Sequence, residues 1–297
     1  MADGMTADLV GWHEMDEATY HADPCPAPAL SASCAKTIIE KSLFHAWHQH
    51  PKNPDAKPFK SSEAMEIGKA VHAAVFGGAS VAIIPAKSYQ SKAAKEAKAE
   101  AIASGMIPIL ETKFPRIKKM ADIARPRFEG LYGGDYHAER VAIWRCPRTG
   151  GWRKAALDTS AKSAPIIVDF KTTEASVSDA ACTRRVFDMG LHIQAAAYEE
   201  AMEQLNPEWA GRVRFLFQWQ EQTEPFALSR PIEMGEAAMT LGREQWKTAG
   251  ALWDAAIRHN EFPGYGTTPT EAAPPPWEFT RWEERLMTDE TLNPVSQ

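Results

Sequence analysis

Hydrophobic and polar positions change their period along the chain. Behind Ser31 or Ser33 as the cap, the apolar residues Ile38, Ile39, Leu43, Phe44 and Trp47 recur at helical spacing, which predicts a helix to about His50. A loop with Pro51, Pro54 and Pro58 follows. A second helix starts at Ser61 or Ser62, carries Glu63 in its first turn and stops at Gly77-Gly78. Residues 91–104 and 111–124 predict two further helices on the surface. At 138–146 the pattern switches to alternation, and a Pro-Arg-Thr-Gly-Gly turn leads into a return strand at 151–159. A strand at 165–171 comes next, then helices near 176–188 and 191–205. Strands at 211–219 and 224–230 and a long helix over 233–260 complete the pattern.

Three regions follow from this order. Residues 1–30, with Pro24, Pro26 and Pro28, read as an irregular N-terminal arm, residues 31–262 as one domain, and residues 263–297 as a Pro/Gly-rich, extended tail. Helices, then a three-strand meander, then helix and strand predict an α/β fold. Its central mixed sheet is flanked by helices, with an N-terminal helical layer.

Composition adds exclusions. The chain of 297 residues is 44% hydrophobic and 24% charged, as in an ordinary globular protein. No apolar run has the length of a membrane span, and Asp3, Asp8 and Glu14 do not suit a signal peptide, so a cytoplasmic protein with no membrane partner is expected. Cys25, Cys34, Cys146 and Cys182 form no CxxC pair, which argues against a zinc ribbon. A net charge of −6 does not suit a protein that coats nucleic acid, although an enzyme that cuts DNA needs only a local positive surface. A P-loop is missing from the sequence, so the chain is not itself a P-loop motor.

The stretch Ile166-Ile167-Val168-Asp169-Phe170-Lys171-Thr172-Thr173 carries the candidate chemistry. Its β-branched content predicts a buried strand, on which Asp169 and Lys171 share a side. A buried carboxylate and ammonium are costly unless paired or metal-bound. Asp158, at the end of the preceding strand, is placed to converge on Asp169, and two such carboxylates repel unless a hard cation such as Mg²⁺ or Mn²⁺ lies between them. Read alone, Asp158 before Thr159-Ser160 is equally a turn aspartate. Lys171 on the same side can assist an attacking water and offset phosphate charge. Gln194 and Tyr198, four apart among Ala195, Ala196 and Ala197, share a helix face that packs close to the sheet. His72 follows Gly68 by one turn on the same face, and the glycine leaves room for another group to approach. Glu139 is a further acid on the first strand of the meander, at the surface or in the site. Arg184 and Arg185, ahead of the Gln194 helix, are nearer candidates for DNA contact than Lys92, Lys95, Lys98, Lys113, Arg116, Lys118 and Lys119, which also read as a solvated face.

Together these motifs resemble the RecE-type (exodeoxyribonuclease VIII-like) branch of the PD-(D/E)XK nuclease superfamily, related to RecB-like nuclease domains. The resemblance runs through Tyr20-His21-Ala22-Asp23, Leu30-Ser31-Ala32-Ser33, Gly68-Lys69-Ala70-Val71-His72 and Ala156-Leu157-Asp158. It continues in Asp169-Phe170-Lys171-Thr172-Thr173, Gln194-Ala195-Ala196-Ala197-Tyr198 and Phe262-Pro263-Gly264-Tyr265-Gly266. It implies His72, Asp158, Asp169 and the Phe170 carbonyl as metal ligands, with Glu139 matching an upstream acid seen in this branch. It also implies Lys171 as the catalytic lysine, with Gln194 and Tyr198 on DNA near the scissile phosphate. Lys154-Ala155-Ala156-Leu157-Asp158 departs from the pattern, because many relatives carry an arginine shortly before the aspartate. The implied activity is a Mg²⁺-dependent exonuclease (Mn²⁺ as the alternative ion) resecting duplex DNA ends from 5′ to 3′. Its implied partner is a RecT-like single-strand annealing recombinase, in a bacterial or phage setting, and its implied assembly a homo-oligomeric ring. Other nucleases of the superfamily, including helicase- or CRISPR-associated ones, and an inactive DNA-binding protein are the rival readings. None of the four cysteines lies after Cys182, so no iron–sulfur cluster is expected.

Overall fold

The alternating segments form the middle of a mixed sheet. In the computed structural model, which describes residues 9–57, 62–77 and 80–292, the strand order is β1-β4-β5-β6-β7-β8. These strands are β1 (Gly11–His13), β4 (Tyr136–Arg145), β5 (Trp152–Ala161), β6 (Ile166–Thr173), β7 (Arg214–Glu221) and β8 (Ile232–Glu233). Asp3, Asp8, Pro58, Ser61 and Gly78, each used in the sequence reading, lie outside the described residues, as do the far ends of the arm and tail. The β4–β5–β6 meander is antiparallel, and β7 joins β6 in parallel after a helical crossover. A second sheet, not expected from the sequence, pairs β2 (Val81–Ile84) with β3 (Ile107–Leu110) in parallel.

Helices cover both faces of the large sheet, as predicted. The helices are α1 (Glu17–His21), α2 (Ala32–Glu40), α3 (Leu43–Gln49), α4 (Glu63–Phe76), α5 (Lys92–Ala103), α6 (Phe114–Tyr132), α7 (Asp179–Asp188), α8 (Leu191–Leu205), α9 (Glu236–His259) and α10 (Pro276–Thr288). One core joins α2, α8 and α9 to Trp144, Leu157, Ile167 and Phe217 of the sheet. On the other side, α4 and α6 pack against Val168 and Phe170. The two cores bury β6 on both faces, which is why its sequence is nearly continuous in apolar residues apart from the acid and the lysine.

Several elements differ from expectation, each for a local reason. The helix predicted from Ser31 to His50 is two helices, because the Ser42 side chain accepts the His45 N–H and starts α3 anew. Residues 224–230 contribute only a bridge from Leu228 to Gln220, since Pro225 has no N–H to donate and Phe226 has a left-handed φ of 57°. The surface helix expected at 111–124 runs through Pro126 to Tyr132 and ends on left-handed Gly133. The arm is not wholly irregular: β1 pairs with β4, and Cys25 and Ala29 are buried against Val141, Ile143 and Trp152.

The chain divides into two compact units, Met1–Gly264 and Tyr265–Gln297. The second contains α10, where the sequence suggested an extended tail. Pro276 sits at its first position, where a missing N–H costs nothing, and Trp277, Phe279 and Trp282 are exposed. Among the described residues, no helix is long and apolar enough to cross a membrane.

Candidate active site

Three acids fall on one transverse row of the sheet. The β4–β5 ladder keeps a single register from Tyr136↔Ala161 to Arg145↔Trp152 but skips Glu139 and Asp158, which that register sets opposite each other. The β5–β6 ladder holds Ser160↔Ile167 and Thr159↔Val168 and stops before Asp158 and Asp169. Both ladders therefore open at the acidic row. Asp158 Oδ2 accepts the Phe170 backbone N–H at 2.7 Å, filling the position a strand carbonyl would otherwise take. Glu139 has a φ of 50°, a left-handed conformation uncommon for a residue with a Cβ. Its effect shows in the neighbouring side chains. Tyr136 and Thr159 meet Tyr132 of α6, whereas Ala142, Trp144, Ala155 and Leu157 pack toward α8 and α9. Residues of one parity keep one face on a regular strand, so the two strands exchange faces across Glu139 and Asp158.

His72 reaches the row from α4. A Cβ on Gly68 would stand 3.0 Å from Thr172 Oγ1, so the glycine lets α4 lie directly on β6. One turn later, His72 Nδ1 is 3.7 Å from Asp158 Oδ1 and 3.9 Å from Glu139 Oε1, with its ring stacked on Phe170 at 5.1 Å. One ligand atom from each of His72, Glu139 and Asp158 lies within 4.8 Å of the others. Asp169 is held differently. Its Oδ1 lies 2.5 Å from Lys171 Nζ, and its Oδ2 accepts from Gln194 Nε2 at 2.5 Å. The Lys171 ammonium and the Gln194 amide thus each engage one oxygen of this buried carboxylate.

The site is short of positive charge. Burial pushes Glu139 up to about 8, with Asp158, Glu17 and Asp169 adding to the rise. Burial also raises Asp169 to about 6 against the pull of Lys171, with Asp158 assisting. Asp158 is raised by burial, opposed by Lys171 and by its bond to Phe170. Burial, then the Lys171 ammonium, lowers His72 to about 4, leaving a neutral imidazole with a free lone pair. Burial acts to lower Lys171, yet the Asp169 and Asp158 carboxylates outweigh it and keep the ammonium charged. A neutral imidazole and two adjacent carboxyls, from His72, Glu139 and Asp158, fit a divalent cation.

Beside this row lies a cavity of different character, about 270 Å³ in volume. Tyr20, Ser31, Ser33, Lys36, Lys171, Gln194 and Tyr198 line it, and among the described residues no carboxylate does. Burial raises the Tyr198 phenol well above its ordinary value, so it stays a hydrogen-bond donor. Tyr20 is fixed by its carbonyl, which accepts from Lys154 Nζ at 2.6 Å, and Lys154 in turn lies 3.7 Å from the buried Asp23. Lys171 and Gln194 thus belong both to the acidic row and to a wall rich in donors. The sequence pointed to Lys171, Gln194 and Tyr198 but gave Tyr20, Ser31, Ser33 and Lys36 no chemical role. The available signals were the Tyr20-His21-Ala22-Asp23 and Leu30-Ser31-Ala32-Ser33 motifs.

The remaining basic candidates lie elsewhere. Arg184 is exposed on α7, while Arg185 donates to the Ser176 carbonyl at 2.9 Å and lies 5.8 Å from the Trp219 ring. Neither lines the cavity. Lys98, Lys113, Lys118 and Lys119 each meet a carboxylate, from Glu66, Glu63, Asp122 and Glu224 respectively.

Among solved structures, a protein from Eubacterium rectale named "Putative exonuclease" shares this fold with a TM-score of 0.59 at 13% identity. The likeness covers 90% of this chain and 98% of that one. No curated protein matches the sequence. A family model described as a PDDEXK-like domain of unknown function (DUF3799) matches residues 31–269, which include the acidic row, His72 and Lys171. The chain belongs to this PDDEXK-like family.

Proposed function

We propose that this chain is a Mg²⁺- or Mn²⁺-dependent exonuclease that hydrolyses phosphodiester bonds at the ends of linear duplex DNA. PDDEXK-like membership supports a nuclease. The observation that carries the reading is the opened row of Glu139, Asp158 and Asp169, with His72 over it and the donor-lined cavity beside it. In this reading His72, Glu139, Asp158, Asp169 and the Phe170 carbonyl hold the cation. When bound, the cation supplies Lewis-acid stabilisation of the charge that builds on the phosphate.

The chain's own residues do the rest. Lys171 faces the same phosphate with its ammonium, held in place by Asp169. Gln194 fixes Asp169, and Tyr198 and Lys36 direct donors at the substrate from the cavity wall. Arg184 offers a backbone contact outside it. The finer features rest on the resemblance to RecE-type enzymes: 5′-to-3′ polarity, a RecT-like annealing partner, a ring assembly and work in the cytoplasm on recombination intermediates.

The test uses linear DNA labelled at its 5′ or 3′ end, set against closed circles, with Mg²⁺ or with EDTA. Release of one end label in Mg²⁺ alone, with circles left intact, is the expected result. Asp169→Ala should abolish it while end binding persists. Cutting of circles, or activity unaffected by EDTA, would overturn the reading.

A further inference from the structure

Gln222 lies one residue past β7 and is 2% exposed. Its backbone N–H donates to the Thr173 carbonyl at 2.6 Å, which fixes it beside the end of β6. Its side-chain Nε2 donates to two separate elements: the Ala64 carbonyl in the first turn of α4 at 3.0 Å, and Thr172 Oγ1 on β6 at 2.8 Å. Thr172 Oγ1 is also the atom on which α4 rests, 3.0 Å from where a Cβ on Gly68 would stand. A single amide therefore holds both the helix and the strand residue beneath it. His72 is one turn beyond Gly68 on the same helix face, so the seat of α4 sets where the imidazole lies.

Two neighbours sharpen the comparison. Gln218 and Gln220 are also buried on β7, and like Gln222 each leaves its Oε1 without a partner. Their Nε2 groups bond elsewhere: Gln218 to Trp219 and Ser229, Gln220 to the Met120 and Phe226 carbonyls. Of the three, Gln222 alone hydrogen-bonds to α4.

We infer that Gln222 is a positioning residue: through Thr172 and Gly68 it sets the distance of His72 from Glu139 and Asp158, and so tunes divalent-cation affinity. The inference rests on reading those three residues as a metal site. Groups that orient ligands from behind typically change metal affinity about 10- to 100-fold when removed.

The experiment measures Mn²⁺ binding to the full chain by calorimetry and electron paramagnetic resonance, with thermal melting alongside. Gln222→Met and Thr172→Val should each weaken Mn²⁺ binding about 10-fold at unchanged stoichiometry. Gln220→Met removes an equally buried amide and should leave the affinity unchanged even where it lowers the melting temperature. Thr172→Val keeps the test informative if Gln222→Met fails to fold. Wild-type affinity in folded Gln222→Met or in Thr172→Val overturns the inference. An equal loss in Gln220→Met also overturns it, by showing general loosening. Failure of the unsubstituted chain to bind Mn²⁺ overturns the metal reading, and this inference with it.

Discussion

Phe170 gives its backbone N–H to Asp158 Oδ2 at 2.7 Å, and the other oxygen of the same carboxylate faces His72 at 3.7 Å. Asp158 thus joins β5 to β6 where their ladder ends, and it presents one oxygen to the imidazole. The strand opening and the clustering of ligands are one event, because the side chain that replaces the ladder bond is itself one of the acids. Phe170 is tied in further by its ring, stacked under His72.

These two roles of Asp158 separate under substitution. Asp158→Asn keeps an oxygen for the Phe170 N–H and loses the charge, so Mn²⁺ affinity should fall at least about 10-fold with little change in stability. Asp158→Ala also leaves a buried N–H without a partner, at a cost of about 1–3 kcal/mol. Urea denaturation of the two variants checks this. Equal stabilities would show that the bond to Phe170 contributes nothing to the fold.

The raised carboxyls make the metal-free protein sensitive to pH. Glu139 keeps its proton to about 8, and Asp169 to about 6, against ordinary values of 4.5 and 3.8. The folded state therefore binds more protons than the unfolded chain, and the stability these groups contribute is lost as pH rises through the folded values. His72, held near 4, acts in the opposite sense, but only below its ordinary 6.5. From 6.5 to 8, Glu139 is therefore the member of this row that still gives up its proton. In EDTA the melting temperature should drop across that interval, and Mg²⁺ should restore it. Glu139→Gln should abolish much of the drop. A melting temperature that rises with pH in EDTA would contradict this.

Lys171 should matter for turnover and not for holding the cation. Its ammonium lies 2.5 Å from Asp169 Oδ1 and also borders the cavity, where in the proposed reading it would face a phosphate of the DNA. Lys171→Met should lower kcat by roughly 10²–10³ at saturating DNA, the usual loss for one electrostatic donor. Mn²⁺ affinity should hold or increase, since a repelling charge is removed. Turnover near the wild-type rate would exclude Lys171 from the chemistry.

How much of this was legible in the sequence depended on how local each signal is. Asp169, Lys171 and the strand that carries them follow from a short β-branched run, and Gly68 reads as a place of close approach. Glu139 was readable only as one acid among several, because its side chain enters the site through a left-handed φ that alternation does not encode. The strand alone leaves Asp169 either paired with Lys171 or metal-bound; its carboxylate is contacted by Lys171 and also by Gln194, which comes from a helix beyond the strand. Tyr20 and Lys36 reach the cavity from the arm and from α2, far away in sequence from Lys171 and Gln194, and no periodicity or spacing indicates that meeting. The split at Ser42 was hidden because one helical stripe continues across it, while a serine cap outcompetes the helix interior locally.

Lys36 offers the cleanest separation of binding from chemistry. It lines the cavity, and among the described residues no carboxylate ion pair with it is found. An ammonium in a cavity that the Ser31 and Ser33 hydroxyls also line suits a phosphate of the DNA backbone, contacted equally before and during bond cleavage. Such an interaction lowers KM without raising kcat. Lys36→Ala should therefore raise KM several-fold, leave kcat and Mn²⁺ affinity unchanged, and reduce the salt dependence of DNA binding by about one phosphate contact, a slope change of roughly 0.7–0.9. Steady-state kinetics and binding isotherms at several salt concentrations measure all three. A fall in kcat with KM unchanged would place Lys36 at the reacting phosphate, and an unchanged salt slope would remove it from the DNA surface.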